Sequence, residues 1–148
     1  MIKSDSKPRQ VVRPVITRLL MPYILLFGLY VQFHGDFGPG GGFQAGVIFA
    51  SGIILYALTF GVARARSLLP PDSLQPLAAL GVLLYGAVGV ASLFMDGHFL
   101  NYSVLSSDPV QGQHLGILLI ELGVGITVTA VMVLVFFAFF GRDEEGEV

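Results

Sequence analysis

Apolar residues in this chain fall into four long runs, Val15 to Phe33, Phe43 to Ala63, Leu74 to Met95 and Leu115 to Phe140, separated by short polar segments. About 20 apolar residues in a helix cross a bilayer. Each run therefore predicts a membrane span, and together they predict an all-α, polytopic membrane domain of four helices over residues 15–140. A basic tail (1–14) precedes it and an acidic tail (141–148) follows. The fourth run would be about 39 Å long as a helix, so it must tilt or project beyond the hydrocarbon. Pro22 predicts a kink or an early turn in the first helix. Pro70 and Pro71 predict a turn, with Asp72 or Ser73 as the N-cap of the third. Phe136, Phe137, Phe139 and Phe140 read as an interfacial, lipid-facing girdle.

The segment between the first two runs breaks the helical pattern most sharply. Five glycines and one proline lie between positions 34 and 42. Gly38, Gly40, Gly41 and Gly42 lose too much backbone entropy to sit in a helix, and Pro39 lacks a donor N–H. Irregular backbone at this depth survives where protein buries it or water reaches it. Gln32 and Gln44 flank the segment, and their amides suit either backbone groups left open by the turn or direct ion coordination, the first reading being preferred. Two pairs of small residues four apart, Gly42 with Gly46 and Gly112 with Gly116, suit close helix packing.

Charge assigns a side to each loop. Lys3, Lys7, Arg9, Arg13 and Arg18 precede or open the first run, Arg64 and Arg66 follow the second, and Arg142 follows the fourth. All eight basic residues fall on one side. The positive-inside rule makes that side cytoplasmic, together with both termini. The 34–42 and 96–114 loops then face outward. The basic N-terminus is not read as a secretory leader, because the run after it is span-length and no small-residue cleavage site follows. The chain is 54% hydrophobic and 12% charged, with a mean hydropathy of +0.78, which excludes an ordinary soluble domain. It has no cysteine, so thiol chemistry and thiolate metal sites are excluded. No nucleic-acid partner is indicated. The acidic tail, Asp143, Glu144, Glu145 and Glu147, reads as a solvated segment.

Glu121 is the one acid inside a run. An ionised carboxylate there must be paired, hydrated or protonated, so it defaults to a functional hypothesis. At 100° per residue His114, Leu118, Glu121, Gly125 and Thr129 share a face. Counted from Leu115, Glu121 lies about 9 Å below the helix end, and Gly125 leaves space one turn further on. Three readings stand side by side: an interhelical lock, a proton or cation pathway, and pairing with a basic group of another subunit. His34, Asp36, Asp96, His98, Asp108 and His114 would gather at the outward surface. Imidazole and carboxylate suit divalent ions, but no spacing matches an established metal site. No Gly-Lys-Ser/Thr follows the glycines, which excludes a phosphate loop. No nucleophile elbow or cofactor motif appears, so neither enzyme activity nor a cofactor is expected.

The residues Leu26-Phe27-Gly28-Leu29-Tyr30, His34-Gly35 and Gly38-Pro39-Gly40-Gly41-Gly42-Phe43-Gln44-Ala45-Gly46 resemble the MrpB or MnhB family of small subunits in the multisubunit Na⁺/H⁺ antiporters. The resemblance continues through Arg66-Ser67-Leu68-Leu69-Pro70 and Ile120-Glu121-Leu122-Gly123-Val124, covering nearly the whole chain apart from its tails. It implies a small component of a hetero-oligomer in a bacterial or archaeal cell membrane. There, large subunits related to the proton-pumping subunits of respiratory complex I carry the main proton channels, and Na⁺ leaves as H⁺ enters. The family that this chain resembles has members with Asp at the position matching 121, which keeps the charge on a shorter side chain. Related subunits occur in membrane-bound hydrogenases. On the residues alone, a self-associating channel and a purely structural subunit remain alternatives. Glu121, His34, Asp36 and His114 are the candidate pathway residues. Gly38, Pro39, Gly40, Gly41, Gly42, Phe43, Gln44, Gly46 and Gly125 are the candidate loop and packing residues.

Overall fold

The structure, a computed structural model, describes residues 9–36 and 38–140. The expectations placed on Lys3, Lys7, Arg142 and the acidic tail lie outside the described residues, as does Phe37 of the glycine loop. Five helices are described: α1 (Arg9–His34), α2 (Gly42–Phe60), α3 (Val62–Leu68), α4 (Pro71–Phe94) and α5 (Pro109–Phe140). A 3₁₀ turn at Tyr102–Leu105 lies between the last two. Among the described residues there is no strand, and α1, α2, α4 and α5 are each long and apolar enough to cross a membrane.

The helix boundaries depart from the expected runs for local reasons. α1 continues through both Pro14 and Pro22. α2 stops at Phe60, three residues short of the expected end, because Gly61 takes φ 99° and the chain restarts as α3. A left-handed φ at that position favours glycine. α4 begins earlier than Leu74, with Pro71 at its first turn, where a missing N–H is harmless. Its N-cap is Pro70 and not Asp72 or Ser73; Ser73 Oγ instead donates to the Pro70 carbonyl at 2.7 Å. α4 closes with Asp96 at φ 60° and Gly97 N–H donating to the Ser92 carbonyl at 3.0 Å, a Schellman arrangement. α5 begins six residues before Leu115. Asp108 Oδ1 accepts from the Val110 N–H at 3.0 Å and so caps the new helix end. Glu121 consequently sits about 18 Å along α5, not the 9 Å expected.

α5 is the central helix. It packs mainly on α4 and α2, while α1 packs on α2 and touches α5 only slightly. Small residues permit these crossings. Gly81 of α4 faces the Gly123 carbonyl and Thr127, and Thr127 Oγ1 donates to the Ala78 carbonyl at 3.2 Å. Thr17 and Thr59 join α1 to α2 through their hydroxyls at 3.0 Å.

The apolar core lies at the end that carries α3. Ala50, Ala57, Val62, Ala65, Leu74, Ala130, Val133, Phe136 and Phe137 are all buried there. The phenylalanine girdle is thus only half a girdle: Phe139 and Phe140 are exposed, whereas Phe136 and Phe137 are core. Arg66 holds one of the two buried rings. Its guanidinium lies 5.6 Å from the centre of the Phe137 ring and donates to the Phe137 carbonyl at 2.6 Å, which fixes the end of α5 against α3. Arg18 lies 5.3 Å over Phe60 at the same end. The described arginines near the spans therefore share the end opposite the glycine loop.

Candidate functional site

The glycine loop turns back onto the helix it leaves. Gly38 N–H donates to the His34 carbonyl at 3.1 Å, and Gly41 N–H reaches the Val31 carbonyl at 3.2 Å, satisfying acceptors that the end of α1 would otherwise leave unpaired. Gly41 stands at φ 114°, and Gly42 opens α2. The loop's remaining shape is dictated by α5. Gly35, Gly41 and Gly42 all face Glu121. A Cβ on Gly41 would come within 2.7 Å of Glu121 Oε1, one on Gly35 would meet both carboxylate oxygens, and one on Gly42 would strike the Glu121 backbone. Gly46 extends the fit, since a Cβ there would lie 2.9 Å from the Gly125 carbonyl. Thr129 Oγ1 closes the crossing by donating to the carbonyls of Gly125 at 2.7 Å and Gly46 at 3.2 Å. Gly42 and Gly46 of α2 lie against Glu121 and Gly125 of α5 where these two helices cross. The pair Gly112 and Gly116 does something else: it accommodates Tyr102 of the 3₁₀ turn, not a helix.

Glu121 therefore lies in a cradle of glycine backbone. Its carboxylate borders a cavity of about 280 Å³ lined by Gln32, Phe33, Asp36, His114, Leu118 and Glu121. His114 Nδ1 pairs with Asp36 Oδ2 at its rim, joining the start of α5 to the end of the α1 turn. Among the described residues no hydrogen bond or ion pair reaches the Glu121 carboxylate. His114, Leu118 and Glu121 line this cavity, and Gly125 and Thr129 line the next one along the same helix face.

Of the four candidate pathway residues, the structure brings together Glu121, Asp36 and His114. His34 stays apart: its ring stacks on Tyr30 with centroids 5.1 Å apart and does not line the cavity. Asp108 is used as a cap, and the His98 carbonyl accepts from Asn101 N–H at 2.9 Å in its own turn. Among the described residues no group of three His, Asp or Glu side chains is arranged to hold a metal. Phe43, Gln44 and Pro39 are exposed. Neither glutamine amide caps the loop. Gln44 points outward, and Gln32 is 4% exposed with its Nε2 lacking a protein partner. Leaving such a donor unsatisfied costs about 1–3 kcal/mol. Gln32 and Gly35 are the site residues whose role the sequence pattern missed. The glycine before Asp36 carried a signal, but only the contact with α5 gives it a reason.

A family model described as "Domain related to MnhB subunit of Na+/H+ antiporter" matches residues 12–134, a stretch that contains the loop, Glu121 and the whole cavity. Proteins of Staphylococcus aureus strains Newman, JH1 and COL, each named "Putative antiporter subunit mnhB2", are 36% identical to the chain over 138 residues. Each alignment covers 91% of this chain and 97% of the relative. A match of that extent, over a fold of four apolar helices, places the chain by descent: it belongs to the family of domains related to the MnhB subunit of Na⁺/H⁺ antiporters.

Proposed function

We propose that the chain acts as a small membrane component of a hetero-oligomeric cation/H⁺ antiporter, part of a transporter and not an enzyme, and that the cavity at Glu121 is part of a hydrated ion or proton route. One observation carries this reading: an intramembrane carboxylate held in a glycine cradle, without a hydrogen bond, at the wall of a cavity whose rim is the Asp36–His114 pair. A lock between helices needs a bond from the carboxylate, and Glu121 makes none among the described residues. A carboxylate facing a cavity can instead accept and release a proton or attract a hydrated cation. The chain offers few further oxygen ligands near Glu121, so a complete Na⁺ site requires other subunits. Large subunits related to those of respiratory complex I fit that need. They would supply the principal proton channels, with Na⁺ and H⁺ as the exchanged ions and the proton motive force as the drive. The exposed apolar faces, greatest on α1, suit neighbouring subunits and lipid in a prokaryotic cell membrane. The arginine-bearing end would face the cytoplasm and the glycine loop the outside.

The test is Glu121→Gln in the complete complex, assayed in everted vesicles. The variant should assemble at the wild-type level, since the amide keeps the shape that the glycines surround. Na⁺-dependent collapse of the pH gradient should fall about 100-fold, the usual order for losing a positioned proton-transfer group. Glu121→Asp should recover much of it. Transport at the wild-type rate in Glu121→Gln would leave the carboxylate a packing group only.

A further inference from the structure

α1 is the least buried of the four spans; it packs mainly on α2 and leaves one face without a neighbour among the described residues. On that face Ile16, Leu19, Tyr23, Leu26, Tyr30 and Phe33 recur at alternating steps of three and four, and each is between 49% and 65% exposed. Apolar exposure at such positions suits lipid as well as protein. Tyr23 decides between them. It stands eleven residues from both Val12 and His34, the ends of the span, so about 16 Å of helix separates it from either interface with water. A tyrosine near a span end can set its hydroxyl among headgroups, as Tyr30 can, four residues from His34. The Tyr23 phenol reaches neither interface, and among the described residues its hydroxyl has no hydrogen-bond partner. Against lipid it would meet only acyl chains, which offer a hydroxyl nothing to bond.

We propose that this face of α1 is the docking surface for a transmembrane helix of a different subunit of the antiporter, and that the docked helix presents a hydrogen-bonding group to the Tyr23 hydroxyl at mid-membrane. This rests on the hetero-oligomer proposed above and names where one partner sits. Steps of three and four mark a helix seam whose side chains enter the holes of a partner crossing at about 20°. The seam residues are large, so the two backbones stay apart, and the hydroxyl supplies the directional contact that close glycine packing supplies elsewhere. Charge argues against a second copy of this chain as the occupant. Two copies in one membrane would lie parallel, and α1 carries Arg9, Arg13 and Arg18 but no acid, so like charges would gather at one end of the pair. A helix of another subunit escapes that repetition. The seam also leads to the site. Phe33, its last residue, lines the Glu121 cavity, so the docked helix ends beside the place where the proposed route calls for groups from other subunits.

The complete complex is produced in membranes with p-benzoylphenylalanine in place of Leu19 or Leu26, irradiated, and the adduct on this chain identified by mass. Both positions should yield a peptide of another subunit of the complex. Tyr23→Phe keeps the ring and removes the hydroxyl. It should weaken retention of this chain by the complex in detergent about three- to tenfold, the range of one interhelical hydrogen bond. That second measurement needs no probe, so it stands where the bulky analogue prevents assembly. Adducts to lipid alone would overturn the proposal, as would adducts to a second copy of this chain. Equal retention of Tyr23→Phe and the parent would overturn the bond at mid-membrane. Lipid adducts in a complex whose transport still depends on Glu121 would remove this interface and leave the route standing, whereas a chain that copurifies with no other subunit would overturn the hetero-oligomer itself.

Discussion

The two ends of this bundle are held by opposite means. At the arginine-bearing end large side chains fill space: Phe137 is 2% exposed within an apolar cluster, and Arg66 both lies over its ring and bonds to its carbonyl. At the loop end the absence of side chains does the holding, with Gly35, Gly41 and Gly42 closing on Glu121 and Gly46 on α5. The first end tolerates no loss of volume; the second tolerates no gain. The difference follows from what each contains. A dry apolar core gains from every buried carbon, whereas at the loop end Glu121 and the loop backbone lie so close that no Cβ fits between them.

Truncation at the arginine-bearing end gives the largest expected effect. Phe137→Ala removes a fully packed ring and should destabilise the protein by about 3–5 kcal/mol. Arg66 would also lose its stacking surface, so loosening should extend to α3. Unfolding in detergent, followed by the accessibility of a thiol introduced at Ala65, checks both. An unchanged midpoint would mean that neighbouring subunits, not this core, hold the end together.

Enlargement at the loop end comes second. Gly42→Val drives a branched side chain into the Glu121 backbone, and overpacking of this kind costs about 1–3 kcal/mol, more where the struck atoms are main chain. Loss of assembled complex on native gels should precede any change in cation affinity. Normal assembly with altered cation selectivity would make the loop part of the ion path. Gly38, whose added Cβ would meet only the His34 ring at 3.1 Å, should accept alanine more readily than Gly42.

The sequence reveals these two ends unequally. Four spans were legible because lipid demands long apolar runs, and Glu121 stood out because those runs exclude charge. The face shared by His114, Glu121, Gly125 and Thr129 was also legible, since helical periodicity alone sets it. Boundaries were less so. The stretch from Pro109 to His114 looked like loop, yet Asp108 caps a helix there, and Gly61 ended α2 inside an unbroken apolar run. What could not be read was partnership across the chain. That Gly42 meets Glu121, that Asp36 meets His114, and that Phe137 belongs to Arg66 are contacts between residues some 70 to 80 positions apart, and neither periodicity nor composition encodes them.

One side chain at the loop end behaves as those at the other end do, and it sharpens the contrast. Tyr102 fits over Gly116 beside α5, and burial, followed by the nearby Tyr85 phenol, raises its pKa above the ordinary 10.0. The folded state thus prefers the neutral phenol. Its contribution to stability is fully present below about pH 10, where Tyr102 is neutral folded or unfolded. It is lost as pH rises from the unfolded value through the folded one, because only the unfolded chain ionises readily. Tyr102→Phe keeps the ring over Gly116 and removes the ionisation. The variant should match the wild type near neutral pH, and above about pH 10 its thermal midpoint should fall less steeply than that of the parent. Parallel curves throughout would mean that the phenol reaches water in the assembled protein, and that Gly116 holds a ring at the surface and not an anchor.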